Sequence, residues 1–207
     1  MNIAFKTLTA ALLLAGSGSA FAASSVDLTV KGLITPSACT PTLSNGGSVD
    51  YGKISAKDLN VDSETSLDSQ ILQLTVTCDA ATLMALDADD NRAGSNHGDD
   101  AFEFGLGLIN GTEKLGRMAL RLLTPIADGV PVRTVSSSDG GVSWAASGDL
   151  TPIELLAPAA IGVDAPIPVQ VWTADLVVDS AIAPANGLTL TNEAAIDGSA
   201  TITVHYL

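Results

Sequence analysis

Two cysteines, two histidines and a surplus of carboxylates are the groups in this sequence that could do chemistry. Cys39 and Cys78 are the only thiols, and each adjoins a run of alternating apolar residues. In an oxidising compartment such a pair forms a disulfide. The bridge would close a loop of about 40 residues, worth roughly 4 kcal/mol by chain entropy. A metal site would have only His97 and His205 to help the thiols. Nucleophilic catalysis needs a base beside the nucleophile. His97 lies in a polar stretch, and His205 alternates outward on a terminal apolar run. The sequence holds no H-E-x-x-H and no phosphate-cradling glycine loop. Carboxylate pairs able to hydrolyse a glycoside are too numerous in an acidic chain for sequence to select one. The expectation is a protein that is not an enzyme and that uses no metal and no cofactor.

Asp87-Ala88-Asp89-Asp90-Asn91-Arg92-Ala93-Gly94, with Asp99 and Asp100 soon after, is the densest polar cluster. Its oxygen ligands suit calcium, but the EF-hand spacing fails: Gly94 comes too late and no Glu follows at the right offset. A solvated loop is expected. Asn110-Gly111-Thr112 fits a glycosylation sequon but reads better as a hairpin turn. Trp144 follows the Asp139-Gly140-Gly141 turn and is the single candidate for an exposed sugar-stacking plane. Trp172, inside Val169-Gln170-Val171-Trp172, is expected in the core.

The elements that must carry these groups are strands. Val26, Leu28 and Val30 alternate with Asp27, Thr29 and Lys31. Ile71 to Cys78, Met118 to Leu122 and Ala200 to Tyr206 show the same period of two. Each reads as a strand with one face buried and one wet. Asn45-Gly46-Gly47, Asn110-Gly111, Asp128-Gly129, Asp139-Gly140-Gly141, Asn186-Gly187 and Asp197-Gly198 mark turns between them. That density of strands and turns predicts an antiparallel β-sandwich. Leu150 to Pro168, rich in Ala, Pro and Ile, reads as a loop or short helix crossing between sheets.

The first 22 residues read as a secretion signal. Lys6 supplies a basic start, Ala10 to Ala15 a short apolar core, and Ala20-Phe21-Ala22 the cleavage site, with Ala23 the mature N-terminus. That leaves 207 − 22 = 185 residues for one domain, and loss of Lys6 moves the formal charge from −14 to −15. Such a charge excludes nucleic acid, which needs clustered Lys and Arg. No later stretch is long and apolar enough to insert in a membrane as a helix.

Several of these segments together resemble pilins of the chaperone–usher type. They are Val30-Lys31-Gly32-Leu33-Ile34 leading to Cys39, Val49-Asp50-Tyr51-Gly52-Lys53-Ile54, the strand closing at Cys78, and a last strand with penultimate Tyr206. Ile34-Thr35-Pro36-Ser37-Ala38-Cys39-Thr40-Pro41 also resembles an uncharacterised bacterial family often described as pilin-like or fimbrial. One departure is Ala194, where pilins commonly carry a glycine fourteen positions from the end.

The resemblance implies an immunoglobulin-like sandwich lacking its last strand, with residues 23–36 as an N-terminal extension and residues 37–207 as the pilin-like domain. It implies a structural subunit of a surface fimbria that supports adhesion and biofilm formation. Such a subunit is exported, crosses the periplasm and reaches the cell surface. The implied partners are a periplasmic chaperone, an outer-membrane usher, and other fimbrial subunits or copies of itself. A borrowed strand completes the sheet by β-strand addition. Val26, Leu28, Val30, Gly32 and Ile34 share one face of the N-terminal segment. Periodicity alone leaves them equally a donated strand or the first strand of their own domain. With the resemblance the donor role is expected, Gly32 suiting a shallow pocket. Ile202, Val204 and Tyr206 are expected at the chaperone-facing edge of the groove. The alternatives are a tip adhesin and a stand-alone secreted or periplasmic sandwich that binds a ligand.

Overall fold

Period-two alternation sets the long strands of the structure, a computed structural model that describes residues 38–207. In chain order the first strands are β1 (Cys39–Leu43), β2 (Thr65–Ser66), β3 (Gln70–Thr82), β4 (Met84–Asp90), β5 (Phe104–Gly105) and β6 (Leu108–Ile109). Then come β7 (Glu113–Lys114), β8 (Gly116–Ala127), β9 (Val130–Pro131), β10 (Arg133–Ser137), β11 (Ala145–Ala146) and β12 (Asp149–Leu150). β13 (Leu155–Ala159), β14 (Val169–Ile182) and β15 (Ala200–Tyr206) complete the set. The helical pieces among the described residues are short 3-10 turns at Ser44–Gly47, Ala56–Asp58 and Ala185–Gly187.

The strands form two main sheets and the small β6–β7 hairpin. The first sheet runs β1-β3-β14-β8-β12, with β2 on β14 and β5 and β9 on β8. The second runs β11-β10-β13-β4-β15. Every strand ladder is antiparallel. The fold is all-β, an antiparallel sandwich.

One face of each long strand fills the space between the sheets. Leu72, Leu74, Val76 and Cys78 point inward from β3, and Met118, Leu120 and Leu122 from β8. Trp172, Ala174, Leu176 and Val178 do the same from β14. Met84, Leu86 and Ala88 meet them from β4 in one continuous core. Trp172 is fully buried, at 0% exposure, as its sequence setting predicts.

Two expectations need correction. Leu150 to Pro168 is not a crossing loop or helix: it contains β13, the middle strand of the second sheet. All five residues of β13 are buried, because both faces of the sheet are covered there. Ala85, Val135, Leu155, Ala157 and Ala159 make a second cluster with Trp144 packed on it. A strand buried on both sides has no alternation to read. Pro158 is tolerated because the β13–β4 ladder is limited to Leu156 opposite Leu86. The polar cluster also begins as strand, not loop: Asp87 to Asp90 belong to β4. Leu86 and Ala88 face the core while Asp87 and Asp89 lie opposite Thr203 and Thr201 of β15. High charge disguises an ordinary alternating strand.

Candidate functional site: a cleft between two outer strands

β1 is the outer strand of the first sheet and β15 the outer strand of the second. They flank the same side of the sandwich, and no ladder joins them. A cavity of about 370 Å³ lies between them, lined by Pro41, Thr42, Leu43, Gly46, Gly47, Leu74, Ala200 and Ile202. A larger one of about 760 Å³ follows along the same pair of chain segments. Its walls are Val49 to Ile54 and Asn192 to Ile196, and Leu115 and Ile182 of the core reach its floor. From Pro41 to Ile54 on one wall and from Ile202 back to Leu190 on the other, the walls run antiparallel.

The side chains beside this cleft differ from the rest of the core. Leu43, Val49, Leu59, Leu190, Ala200, Ile202 and Val204 pack on the core yet stay only partly buried. Elsewhere in the sandwich the inward faces of β3, β4 and β8 are fully covered. A row of half-covered aliphatic groups between two sheet edges is apolar area still open to water. Burying each such side chain fully is worth up to roughly 1.5–3 kcal/mol.

Local structure holds both walls in place. The Cys39–Cys78 disulfide ties the start of β1 to β3. Asn45 and Gly46 adopt positive φ of 54° and 63°, which ends β1 and turns the chain toward the second part of its wall. On that wall Asp50 Oδ1 accepts the N–H of Gly52 at 2.8 Å. Tyr51 Oη is buried with no hydrogen-bond partner. On the opposite wall the Arg92 guanidinium donates to both carboxylate oxygens of Asp197, at 2.9 and 2.8 Å. These bonds hold the Asp197 carboxyl below its ordinary range. The N–H of Asp197 also donates to the Leu106 carbonyl at 3.1 Å.

Two contacts cross between the walls. The N–H of Cys39 donates to Tyr206 Oη at 2.9 Å. Lys53 Nζ meets Glu193 Oε1 at 2.9 Å, with both side chains 90% exposed. The cleft is therefore bridged at the β15 terminus and again along its wider part.

Among the residues singled out from sequence, Cys39 and Cys78 are joined as expected. Ile202 and Val204 point from β15 toward the core and are half-buried, and Tyr206 is 37% exposed. Val26, Leu28, Val30, Gly32 and Ile34 lie outside the described residues. Sequence reading missed Pro41, Leu43, Leu59 and Leu190 as cleft residues. Leu59 and Leu190 lie outside the strands, and Pro41 and Leu43 sit in a five-residue strand too short to show a period of two.

The other candidate groups are structural. Trp144 is half-buried on the second cluster, and its Nε1–H donates to the Gly141 carbonyl at 3.1 Å. It is not the open plane that sugar stacking would need. Asp139 gathers the N–H groups of Val142 and Ser143 and the hydroxyls of Ser137 and Ser143. The Ser143 hydroxyl and N–H lead in holding its carboxyl well below the ordinary range. Asn110 and Gly111 have positive φ at the tip of the β6–β7 hairpin, and Asn110 Nδ2 donates to the Thr189 carbonyl at 3.0 Å. Arg117 donates to both oxygens of Glu64 and also meets Glu103. The Arg117 bonds lower the Glu64 carboxyl, whereas burial raises that of Glu103. This trio fastens β2 and the loop before β5 to β8.

Comparison with known proteins gives a consistent placement. Residues 28–119 match a family described as "Protein of unknown function (DUF1120)". The uncharacterized protein YhcF of Escherichia coli (strain K12) is 41% identical over 88 residues, a match covering 41% of this chain and 37% of that protein. Protein GltF of the same organism is 28% identical over 249 aligned positions, covering 96% of this chain and 97% of that protein. The chain is thus similar, over its disulfide-bonded first half and more weakly along its length, to bacterial proteins of uncharacterised role.

Proposed function

We propose that this protein is a structural subunit of a chaperone–usher surface fimbria, assembled by donor-strand exchange and supporting adhesion and biofilm formation. The observation that carries the reading is the cleft between β1 and β15, with half-covered aliphatic side chains along both walls. A sandwich with apolar surface open between two sheet edges is complementary to one extended strand. The occupant in the fibre is the N-terminal segment of a second copy or a related subunit. Val26, Leu28, Val30, Gly32 and Ile34 precede the described domain by only a few residues and put four aliphatic groups and one glycine on one face. Before assembly a periplasmic chaperone would fill the same cleft, and an outer-membrane usher would receive the complex. The function is mechanical: strand exchange, with no chemical step.

A tip-adhesin reading would need a ligand-binding plane or pocket of its own, and the packing of Trp144 gives it none. Thermal unfolding tests the favoured reading. A synthetic peptide spanning Ser25 to Ile34, added in excess to the protein lacking residues Ala23 to Leu33, whose cleft no second copy can fill, should raise the midpoint in a concentration-dependent way. The same peptide with Leu28→Asp should not. Equal effects of the two peptides, or none from either, would contradict the proposal.

A further inference from the structure

Alternation along β8 breaks at Thr124. Met118, Leu120 and Leu122 point into the core, and an unbroken period of two would send Thr124 and Ile126 after them. Against β14, however, Thr173 stands opposite Ile126 and Asp175 opposite Leu123. A step of two on β14 thus spans a step of three on β8, which makes a β-bulge at Thr124 and Pro125. Thr124 takes a φ of 49°, in the left-handed region, where a β-branched residue is an outlier. Its hydroxyl donates to Asp175 Oδ2 at 2.6 Å. The bulge sends Ala127 inward beside Trp172 and turns Ile126 out. The need for a small residue beside Trp172 accounts for Ala127, but not for an isoleucine on the wet face.

Ile126 has apolar company there. Leu123 shares its face of β8, Pro131 of β9 stands opposite it, and Val171 lies two residues before Thr173 on β14. Leu123, Ile126 and Val171 are 46%, 40% and 38% exposed. Thr75, Thr77 and Thr173, which the register places beside them, carry no charge. Three carboxylates border the patch. Asp128 accepts the N–H of Val171 at 2.8 Å, Asp175 faces Leu123 across the ladder, and Asp79 lies two residues beyond Thr77 on β3. None of the three makes an ion pair among the described residues. Arg121, further along the face opposite Val177, is held by Asp149 at 2.9 Å.

We propose that this outer face of the first sheet is a docking surface, separate from the cleft, for a protein that presents apolar side chains bordered by lysine or arginine. Bulges and strained residues gather where a side chain has to be re-aimed for function. An exposed apolar patch with a polar rim is the anatomy of a protein contact. The charge of the rim selects the partner. Carboxylates without cations of their own favour a basic border. At a formal charge of −14, a second copy would bring like charge to like. The inference does not depend on strand exchange, because neither wall of the cleft contributes to the patch.

Fluorescence anisotropy of a labelled Lys-Leu-Lys-Leu-Lys peptide, titrated with the mature protein at physiological salt, tests this. A Glu-Leu-Glu-Leu-Glu peptide should bind about tenfold more weakly or not at all. Leu123→Thr with Ile126→Thr should weaken the lysine peptide about tenfold, although the net charge is unchanged. Asp79→Asn with Asp128→Asn should weaken it about threefold. Excess unlabelled peptide Ser25–Ile34 should not displace it. No saturable binding of the lysine peptide, or equal binding of the two peptides, would overturn the proposal. Full affinity in the Leu123 and Ile126 variant would do the same, and so would displacement by Ser25–Ile34, which would put the probe in the cleft. If Ile126→Thr lowers the mass of assemblies formed by the mature protein alone, the face serves a second copy, and the basic partner is overturned.

Discussion

The Tyr206 hydroxyl oxygen accepts the backbone N–H of Cys39 at 2.9 Å, so the outer strand of one sheet holds the outer strand of the other. Cys39 is also bonded through its sulfur to Cys78 of β3. Beyond the β1–β3 ladder, one residue thus carries the covalent tie of β1 to β3 and its hydrogen bond to β15. Tyr206→Phe keeps the ring and removes the acceptor. Loss of one neutral hydrogen bond should cost about 0.5–1.5 kcal/mol in denaturant unfolding. Combined with Cys39→Ser and Cys78→Ser, the cost should depart from additivity, because both changes act on β1.

Trp172 tests the core between the sheets. It is fully buried between β3 and β8, paired across to Val76 and Ala127. Trp172→Ala should destabilise by about 3–5 kcal/mol, read from the urea midpoint. Ile202→Ala should cost less than the usual core truncation in the protein alone, because Ile202 is half-covered. The cost should rise when the cleft is filled.

Gly116 opens β8 where it passes β14 at Ile182. A Cβ there would run into the carbonyl oxygen of Ala181. Gly116→Ala should therefore destabilise by about 1–3 kcal/mol by overpacking. An unchanged melting temperature would show that the two strands separate freely at this point.

Acid should weaken the fold partly through Glu64. Its carboxyl is held low by Arg117, so its contribution is present above the ordinary carboxylate range and lost as pH falls through the depressed value. Glu103, raised by burial, acts with the opposite sign: its contribution is present below the ordinary range and lost as pH rises through the raised value. Glu64→Gln should lower stability at pH 7 and shrink the difference between pH 7 and pH 3. Urea midpoints at the two pH values check this.

The strands that build the sandwich were legible where one face is wet. Ile71 to Cys78, Met118 to Leu122 and Ala200 to Tyr206 alternate because water takes every second residue. β13 was illegible because Trp144 and its neighbours cover its outer face, which erases the alternation. β4 was masked by Asp87 and Asp89, whose charge suggested a loop. The cleft was harder still. Val49 to Ile54 and Leu190 to Ile196 adopt no ladder, so no local pattern marks them, and only the long-range placement of β1 against β15 brings them face to face. Pro41 interrupts any strand signal in the sequence and yet lies within an outer strand, where a missing N–H is tolerated.

Light scattering on the mature protein, with and without residues Ala23 to Leu33, tests the central claim most directly. The account predicts that the intact protein forms chains of copies. The shortened protein should stay monomeric, remain folded around its disulfide, and join the end of a preformed chain without extending it. If both forms are monomers of equal stability, the cleft takes no strand from a second copy. If the shortened form fails to fold, the segment belongs to the domain's own sheet, and the strand-exchange account is contradicted.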